Sequence, residues 1–427
     1  MKNTSPDNLG KTYNLPYLLG YFLAVNAVSD ACAVVDGPNC VMPKVDFIAG
    51  NHDLNSTLLS ADGRHRVICT MTNPLPQDLN PEKKLSALLA GIAGGGDFGV
   101  ALLTGLPFLK LAGLDYEGIA ASVRARIPVA GLPPGSLDAD WLDGYEQALD
   151  ALARALPPGK RKLKKNSVAL VGYLADRGER DHAANIAEIR SLLALCGLSL
   201  ACVFPSGGDF AGLSRALEAG TVVSLPYGRK AAARLAARSG AKLVETGLPL
   251  GLAGTAAWLS SVKAAAGLGP DLPPAVLTAQ RGAAAEMAPL LELLAHRNVV
   301  FAGDPYLFSA FSAYARELRL RVSAAFLDSF PRPLGTARLP RVFFFAPESE
   351  EALKALKALP KFSRPELAVG NSFAATEGYS AGLPFMEFGF PSYGYHALAD
   401  EPFFGFAGAR CLAGRLLNSF KAGPYQA

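Results

Sequence analysis

Short runs of uninterrupted Val, Ala, Leu and Phe alternate along this chain with longer segments whose apolar residues recur at helical spacing. A strand buried on both faces reads as a continuous apolar run, whereas a helix that covers it reads as an apolar stripe of period 3.6. Three blocks of such alternation can be marked. In the first, strands are expected at Ala33–Val35, His65–Thr70 and Gly99–Thr104, helices over Pro81–Ile92 and Leu137–Ala155, and a Gly94-Gly95-Gly96 loop. In the second, strands at Val168–Tyr173, Leu198–Phe204, Thr221–Leu225 and Lys242–Glu245 alternate with helices over Ala183–Cys196, Phe210–Ala219 and Arg229–Gly240. The third opens with a long helix, Ala275–Ala295. It continues through strands Asn298–Ala302, Arg321–Phe326, Arg341–Ala346 and Leu367–Val369 and helices Tyr306–Leu318 and Ser349–Leu359. A last helix, Gly405–Asn418, gathers Phe406, Ala409, Leu412, Ala413, Leu416 and Leu417 on one face and is expected to pack back on the body.

The pattern predicts an α/β chain of three Rossmann-like domains with parallel sheets, divided at 1–165, 166–274 and 275–427. Pro157-Pro158-Gly159 and the basic run Lys160–Lys165 read as a solvated connector between the first two. With 427 residues, of which 50% are hydrophobic and 18% charged, the chain can build three substantial cores.

Charge and cysteine usage narrow the function. A net charge of +4 is small for this length, and the one dense basic run carries no aromatics to stack on bases, so nucleic acid is not an expected partner. The N-terminus is polar, and the apolar run Leu15–Val35 is interrupted by Asn26, Ser29 and Asp30. A cytoplasmic chain with no membrane span is expected. Six cysteines (32, 40, 69, 196, 202 and 411) are scattered without a Cys-x-x-Cys pair, which argues against a disulfide scaffold and a self-contained zinc site. A metal site using these thiols takes ligands from elsewhere.

Several familiar signatures are absent or incomplete. Gly50-Asn51-His52-Asp53 looks like an element of binuclear metallophosphoesterases, but no histidine precedes His52 to supply the upstream Asp-x-His, so the segment reads as a polar turn after Val45–Ala49. There is no P-loop, and none of the strand-end glycines Gly172, Gly207-Gly208 and Gly303 belongs to a Gly-x-Gly-x-x-Gly fingerprint, which leaves nucleotide binding unsupported.

Chemistry is best placed at Val34–Cys40. A buried strand breaks at Gly37-Pro38 and delivers the thiol of Cys40 at the tip of the turn. Asp36-Gly37-Pro38-Asn39-Cys40 resembles the turn with which nitrogenase component-1 proteins and dark-operative protochlorophyllide reductases hold an iron–sulfur cluster between two chains. Leu15-Pro16-Tyr17-Leu18-Leu19-Gly20 resembles the segment ahead of that turn. Thr104-Gly105-Leu106-Pro107, with Gly113-Leu114-Asp115, resembles the later turn that often carries another ligand. Gly247-Leu248-Pro249-Leu250-Gly251, Gly303-Asp304-Pro305, Gly370-Asn371-Ser372 and Gly389-Phe390-Pro391 follow in the family's order over nearly the whole chain.

The resemblance implies a [4Fe–4S] cluster with Cys40 as ligand and Gly37 and Pro38 shaping the turn. It also shows what is missing. The position near Asn14 has no thiol, and Gly105 stands where a later cysteine is expected. Cys32, at the start of the same strand as Cys40, is a further candidate ligand or a core thiol. Asp36 is a reserve oxygen ligand, since one family branch uses an aspartate in place of a thiol. Four attachments are needed, so a homologous component-1 subunit or a second copy of this chain must supply the rest. The family's iron–molybdenum cofactor is anchored by a cysteine and a histidine. Ser224–Tyr227 offers no thiol and His396 stands alone, so that cofactor is not expected here.

Three readings follow from the resemblance and its gaps. The first is a subunit of a nitrogenase-like oxidoreductase that shares the cluster with its partner and receives electrons from an ATP-dependent iron protein. The second is a non-catalytic scaffold for metallocofactor assembly. The third is an interaction protein in which Cys40 binds nothing.

Overall fold

The computed structural model describes residues 15–72, 80–135, 138–158, 162–335, 337–376 and 382–421. Asn14 and residues 159–161 of the expected connector fall outside these. The strands are β1 (Ala31–Asp36), β2 (Val67–Cys69), β3 (Val100–Gly105), β4 (Val129–Gly131), β5 (Lys164–Val171), β6 (Ser199–Phe204), β7 (Ala219–Ser224) and β8 (Lys242–Glu245). They continue as β9 (Asn298–Gly303), β10 (Arg321–Leu327), β11 (Val342–Phe345), β12 (Leu367–Gly370) and β13 (Phe385–Glu387).

Three sheets result, ordered β2-β1-β3-β4, β6-β5-β7-β8 and β11-β10-β9-β12-β13. All pairings are parallel. The expected α/β class with three parallel sheets is therefore present. β1, β3 and β9 are buried along their whole length, which is why they read as unbroken apolar runs.

Each sheet reverses its winding beside its first strand, between β1 and β3, β5 and β7, and β9 and β12. Connections leaving the two sides of such a reversal part from each other and open a crevice at the C-terminal strand ends, the common place for a ligand in open α/β sheets.

Local differences from the expected elements have identifiable causes. The helix Pro81–Gly95 absorbs two of the three glycines taken for a loop, because its buried stripe Leu85, Leu89 and Ala93 reaches that far. Lys164 and Lys165, expected in the connector, begin β5 instead. Lys164 pairs with Ala219 of β7, and its exposed side chain reaches Glu218, with Nζ 2.9 Å from Oε2. The helix Tyr17–Asn26 was invisible to periodicity because all its residues but Asn26 are buried, leaving no polar face. The helix Gly251–Ala266 and the three-residue strands β4 and β13 were also unexpected.

The C-terminal helix, Gly405–Lys421, packs against the helices Arg180–Leu195, Gly251–Ala266 and Pro274–Leu294. The Tyr314 hydroxyl anchors it by donating to the Ala409 carbonyl at 2.5 Å. Among the described residues, no helix is long and apolar enough to cross a membrane.

Candidate functional site

The turn after β1 is tied down from three sides. Tyr116 donates its hydroxyl to Asp36 Oδ2 at 2.9 Å, and Thr70 donates to Asp36 Oδ1 at 2.6 Å. Both carboxylate oxygens of Asp36 are thus engaged, and the residue is buried. Gly37 has φ 144°, a conformation side chains rarely adopt, and its N–H donates to Thr70 Oγ1 at 3.0 Å. The Cys69 thiol, at the end of β2, donates to the carbonyls of Gly37 and Pro38 at 2.9 and 3.2 Å. Burial raises the Cys69 pKa, and the nearby Cys40 and Asp36 raise it further, so the proton stays on sulfur and holds the turn. The sequence alone does not decide the role of Cys69. Its pairing opposite Val35 brings it to the turn, a register that local pattern does not reveal.

A single turn of 3₁₀ helix, Asn39–Val41, then presents Cys40 on the surface. Lys44 Nζ donates to the Cys40 carbonyl at 3.1 Å. Loops leaving β2 and β3, the strands that flank β1, expose the apolar side chains Met71 (62%), Phe108 (40%) and Leu111 (93%).

The other candidate ligands lie elsewhere. Cys32 is fully buried at the far end of β1 among Val34, Leu85, Leu89, Leu103 and Ile119, and burial pushes its thiol up to about 12. It is not brought to Cys40. At Gly105 a Cβ would sit 2.4 Å from the Tyr116 hydroxyl and 2.7 Å from its ring carbon, so the Tyr116 ring fills the space where a third thiol was expected. Cys196 and Cys202 are buried and Cys411 is half-buried. Among the described residues, no group of three or more His, Cys, Asp or Glu side chains is arranged to hold a metal ion. A cubane with four thiolate attachments does not fit this chain alone.

A second feature is a cavity of about 70 Å³ where the C-terminal ends of β5, β7, β9 and β13 converge. His52 enters it from the segment that follows the Cys40 turn. The expected turn at Gly50–Asp53 forms, but it is not a solvated one: His52 and Asp53 are only 5% and 3% exposed. The Ser392 N–H donates to His52 Nδ1 at 3.1 Å, which leaves the ring proton on Nε2. Phe390 packs edge-on at 4.8 Å. Burial pushes the His52 pKa down to about 3, with Arg177 adding to the shift, so the ring is neutral.

The charged groups of the cavity wall differ in how fully they are engaged. Arg177 chelates Asp181 through Nε and Nη2 (3.1 and 2.6 Å), donates to the Tyr395 carbonyl and has Glu179 Oε2 at 3.4 Å. Asp304 caps the helix Pro305–Glu317, accepting from the N–H groups of Tyr306 and Leu307 and from the Tyr227 hydroxyl at 2.5 Å. Burial pushes its carboxyl up to about 6. Glu387 accepts from Ser372 and from the Gly394 N–H. Arg415 lies with its guanidinium 3.7 Å above the Tyr395 ring and donates through Nη2 to the Glu387 carbonyl at 2.7 Å. His396 is outside this wall, with Nδ1 2.7 Å from Glu179 Oε1.

Behind the wall, Asn371 donates to Asp328 Oδ2 (2.7 Å) and to the Phe390 carbonyl (2.8 Å). The Gly370-Asn371-Ser372 and Gly389-Phe390-Pro391 segments singled out in the sequence therefore hold each other. Asp328 also accepts from Trp141 Nε1, and burial with Asp304 nearby raises its pKa well above the usual carboxyl range.

A family model described as nitrogenase component 1 type oxidoreductase matches residues 106–421. The chain is 30% identical over 197 residues to the light-independent protochlorophyllide reductase subunit N of Roseiflexus sp. (strain RS-1), covering 45% of this chain and 43% of that protein. It is 25% identical over 315 residues to the subunit N of Roseiflexus castenholzii (strain DSM 13941 / HLO8), covering 72% and 70%. The first match thus spans less than half of its relative's length. Two solved structures of nitrogenase Cp1, at pH 6.5 and pH 5, superpose with TM-scores of 0.80 and 0.71 at 13% and 12% identity. They cover 99% and 98% of this chain and 94% and 90% of theirs. At such identities the likeness establishes the fold.

Proposed function

This chain belongs to the nitrogenase component 1 type oxidoreductase family, and from that premise we propose that it is a subunit that shares a [4Fe–4S] cluster with a partner subunit and receives electrons from an ATP-dependent iron protein. One observation carries the reading: a turn fixed by Asp36, Thr70 and Cys69 presents the Cys40 thiol on the surface, and loops leaving the strands that flank β1 expose Met71, Phe108 and Leu111. An exposed thiol is open to oxidation, and exposed apolar side chains favour burial against another surface. A partner surface would cover both.

In this reading Cys40 is the attachment this chain offers, and the chemistry a bound cluster supplies is one-electron transfer. Gly37 and Pro38 shape the turn. Asp36, with both oxygens already hydrogen-bonded, and Cys69, with its thiol proton on two carbonyls, position it. Cys32 packs the core behind. The remaining attachments come from a homologous component-1 subunit or from a second copy.

The test is anaerobic co-expression with candidate partner subunits, followed by iron and sulfide analysis and electron paramagnetic resonance. Cys40→Ser is expected to strip most of the iron from the assembled complex while leaving the thermal unfolding of the isolated chain unchanged, and Cys196→Ser to leave iron content untouched. Full iron and an unaltered spectrum in the Cys40→Ser complex would overturn the assignment. Iron retained by the native complex without any electron uptake from a reductase would favour the scaffold reading instead.

A further inference from the structure

We propose that Cys40 and Cys69 form a peroxide-responsive thiol pair: in the chain on its own, Cys40 is oxidised first and Cys69 closes on it as a reversible disulfide.

The fold brings these two thiols together and keeps the others apart. Cys69 pairs opposite Val35 at the end of β2, and its Sγ lies 2.9 Å from the Gly37 carbonyl oxygen and 3.2 Å from that of Pro38. Cys40 follows Pro38 by two residues, inside the 3₁₀ turn Asn39–Val41. Such a turn advances only about 2 Å per residue, so Cys40 stays beside the oxygens that Cys69 touches. The two sulfurs also sense each other, since Cys40 is one of the groups that raise the Cys69 pKa. Cys32, Cys196 and Cys202 are buried in the cores, and Cys411 lies on the C-terminal helix, so no other thiol of the chain competes for Cys40.

A disulfide needs Cα atoms about 4.4–6.8 Å apart with the two Cβ atoms turned toward each other. The adjustment falls on Asn39 and Cys40, both exposed, between the fixed Gly37 and the buried Val41. The Cys40 carbonyl is held by the long side chain of Lys44, which can follow it. The thiol therefore swings without breaking the contact of Thr70 with Asp36 that fixes the strand end.

The asymmetry of the pair sets the order of events. A hydroperoxide attacks the accessible thiol, which is Cys40. Cys69 is half-buried against the turn carbonyls and keeps its proton, so it is spared until Cys40 has changed. In the first step the Cys40 sulfur takes one oxygen atom from hydrogen peroxide, giving a sulfenic acid and one water. In the second, the Cys69 sulfur attacks the Cys40 sulfur, the S–O bond breaks, and hydroxide leaves with the Cys69 proton as a second water. Two thiols and one peroxide become one disulfide and two waters, the two electrons having passed to the peroxide. The bridge stops Cys40 short of the sulfinic acid, which is not reduced by thiols. That it also stores a cluster ligand until reductant and partner arrive rests on the cluster reading; the bridge itself does not.

The test uses the isolated full-length chain, freshly reduced, treated with equimolar hydrogen peroxide, quenched with iodoacetamide in denaturant and read by intact-mass and peptide mass spectrometry. The expected product has lost two alkylatable thiols together, is lighter by two hydrogens before alkylation and yields a linked Cys40–Cys69 peptide. Dithiothreitol should return it to the starting state. Cys69→Val should instead let excess peroxide carry Cys40 on to the sulfinic acid, beyond rescue by dithiothreitol, and Cys40→Ser should leave Cys69 alkylatable. In the native chain, Cys40 accumulating as sulfenic or sulfinic acid with Cys69 still alkylatable would overturn the proposal. So would a bridge joining Cys40 of two copies, and both comparisons need no variant to fold. The readout contains no metal, so failure of the bridge leaves the cluster reading standing, and failure of the cluster leaves the bridge standing.

Discussion

The Ser392 N–H donates to His52 Nδ1 across 340 residues of chain, fastening the loop after β13 to the segment that follows the Cys40 turn. The bond requires an unprotonated nitrogen. Because the folded ring has a pKa of about 3 and an unfolded histidine one of about 6.5, acidification through that interval loads a proton onto the unfolded chain that the fold refuses. Stability is therefore complete above pH 6.5 and falls below it, by about 2–3 kcal/mol on reaching roughly pH 4.5 at 1.36 kcal/mol per unit. His52→Phe leaves the Ser392 N–H unpaired and costs about 1–3 kcal/mol at neutral pH. Urea unfolding at both pH values should show the gap between native and variant narrowing as pH drops, and a gap that widens would contradict a neutral His52.

Gly105→Cys places its Cβ against the Tyr116 ring and is expected to destabilise the chain by about 1–3 kcal/mol, the usual range for overpacking. The penalty should shrink in a Tyr116→Leu background, where the obstructing ring is gone. A double-mutant cycle of urea midpoints measures that coupling, and strict additivity would show that the two residues do not compete for the same space.

Cys69→Val removes the thiol that donates to the Gly37 and Pro38 carbonyls and should cost about 1 kcal/mol in stability. Iron content of the assembled complex should follow Cys40 and not Cys69. Loss of iron in Cys69→Val equal to that in Cys40→Ser would make Cys69 a ligand after all.

Arg332 bridges the loop after β10 to the helix Trp141–Ala155. Its Nη2 lies 2.5 Å from Asp140 Oδ1 and 2.9 Å from Asp143 Oδ2, and the Asp140 side chain is fully buried. Arg332→Met strands that carboxylate, and a loss of about 3–5 kcal/mol is expected. The companion variant Arg332→Met with Asp140→Asn should recover part of it, since Asn retains a cap for the helix. A midpoint in the single variant indistinguishable from the native chain would show the pair to be idle.

Much of this architecture can be read from residue order. Asn298–Ala302 and Arg321–Phe326 each gain one residue in the structure, because buried parallel strands write themselves as apolar runs, and the largely exposed Lys242–Glu245 forms β8 with the expected bounds. The Gly37-Pro38 break and the Cys40 thiol beyond it were equally legible, since glycine and proline act locally. What stayed hidden depends on distant partners. His52 gives no local sign that Ser392 will cover it. Nor does Gly105 reveal that Tyr116, eleven residues on, will occupy the space above it. Arg415 shares the helix Gly405–Lys421 with Arg410, and only the fold shows that it stacks on the Tyr395 ring.

The packing of Tyr116 over Gly105 also constrains how such a chain can change over generations. Introducing a thiol at Gly105 first meets a filled space. Shrinking Tyr116 first opens a void and takes a hydrogen bond from Asp36. Each single step is unfavourable, so the two positions are epistatic, and a lineage that has acquired this pair is held away from the thiol-bearing state even where selection would reward it.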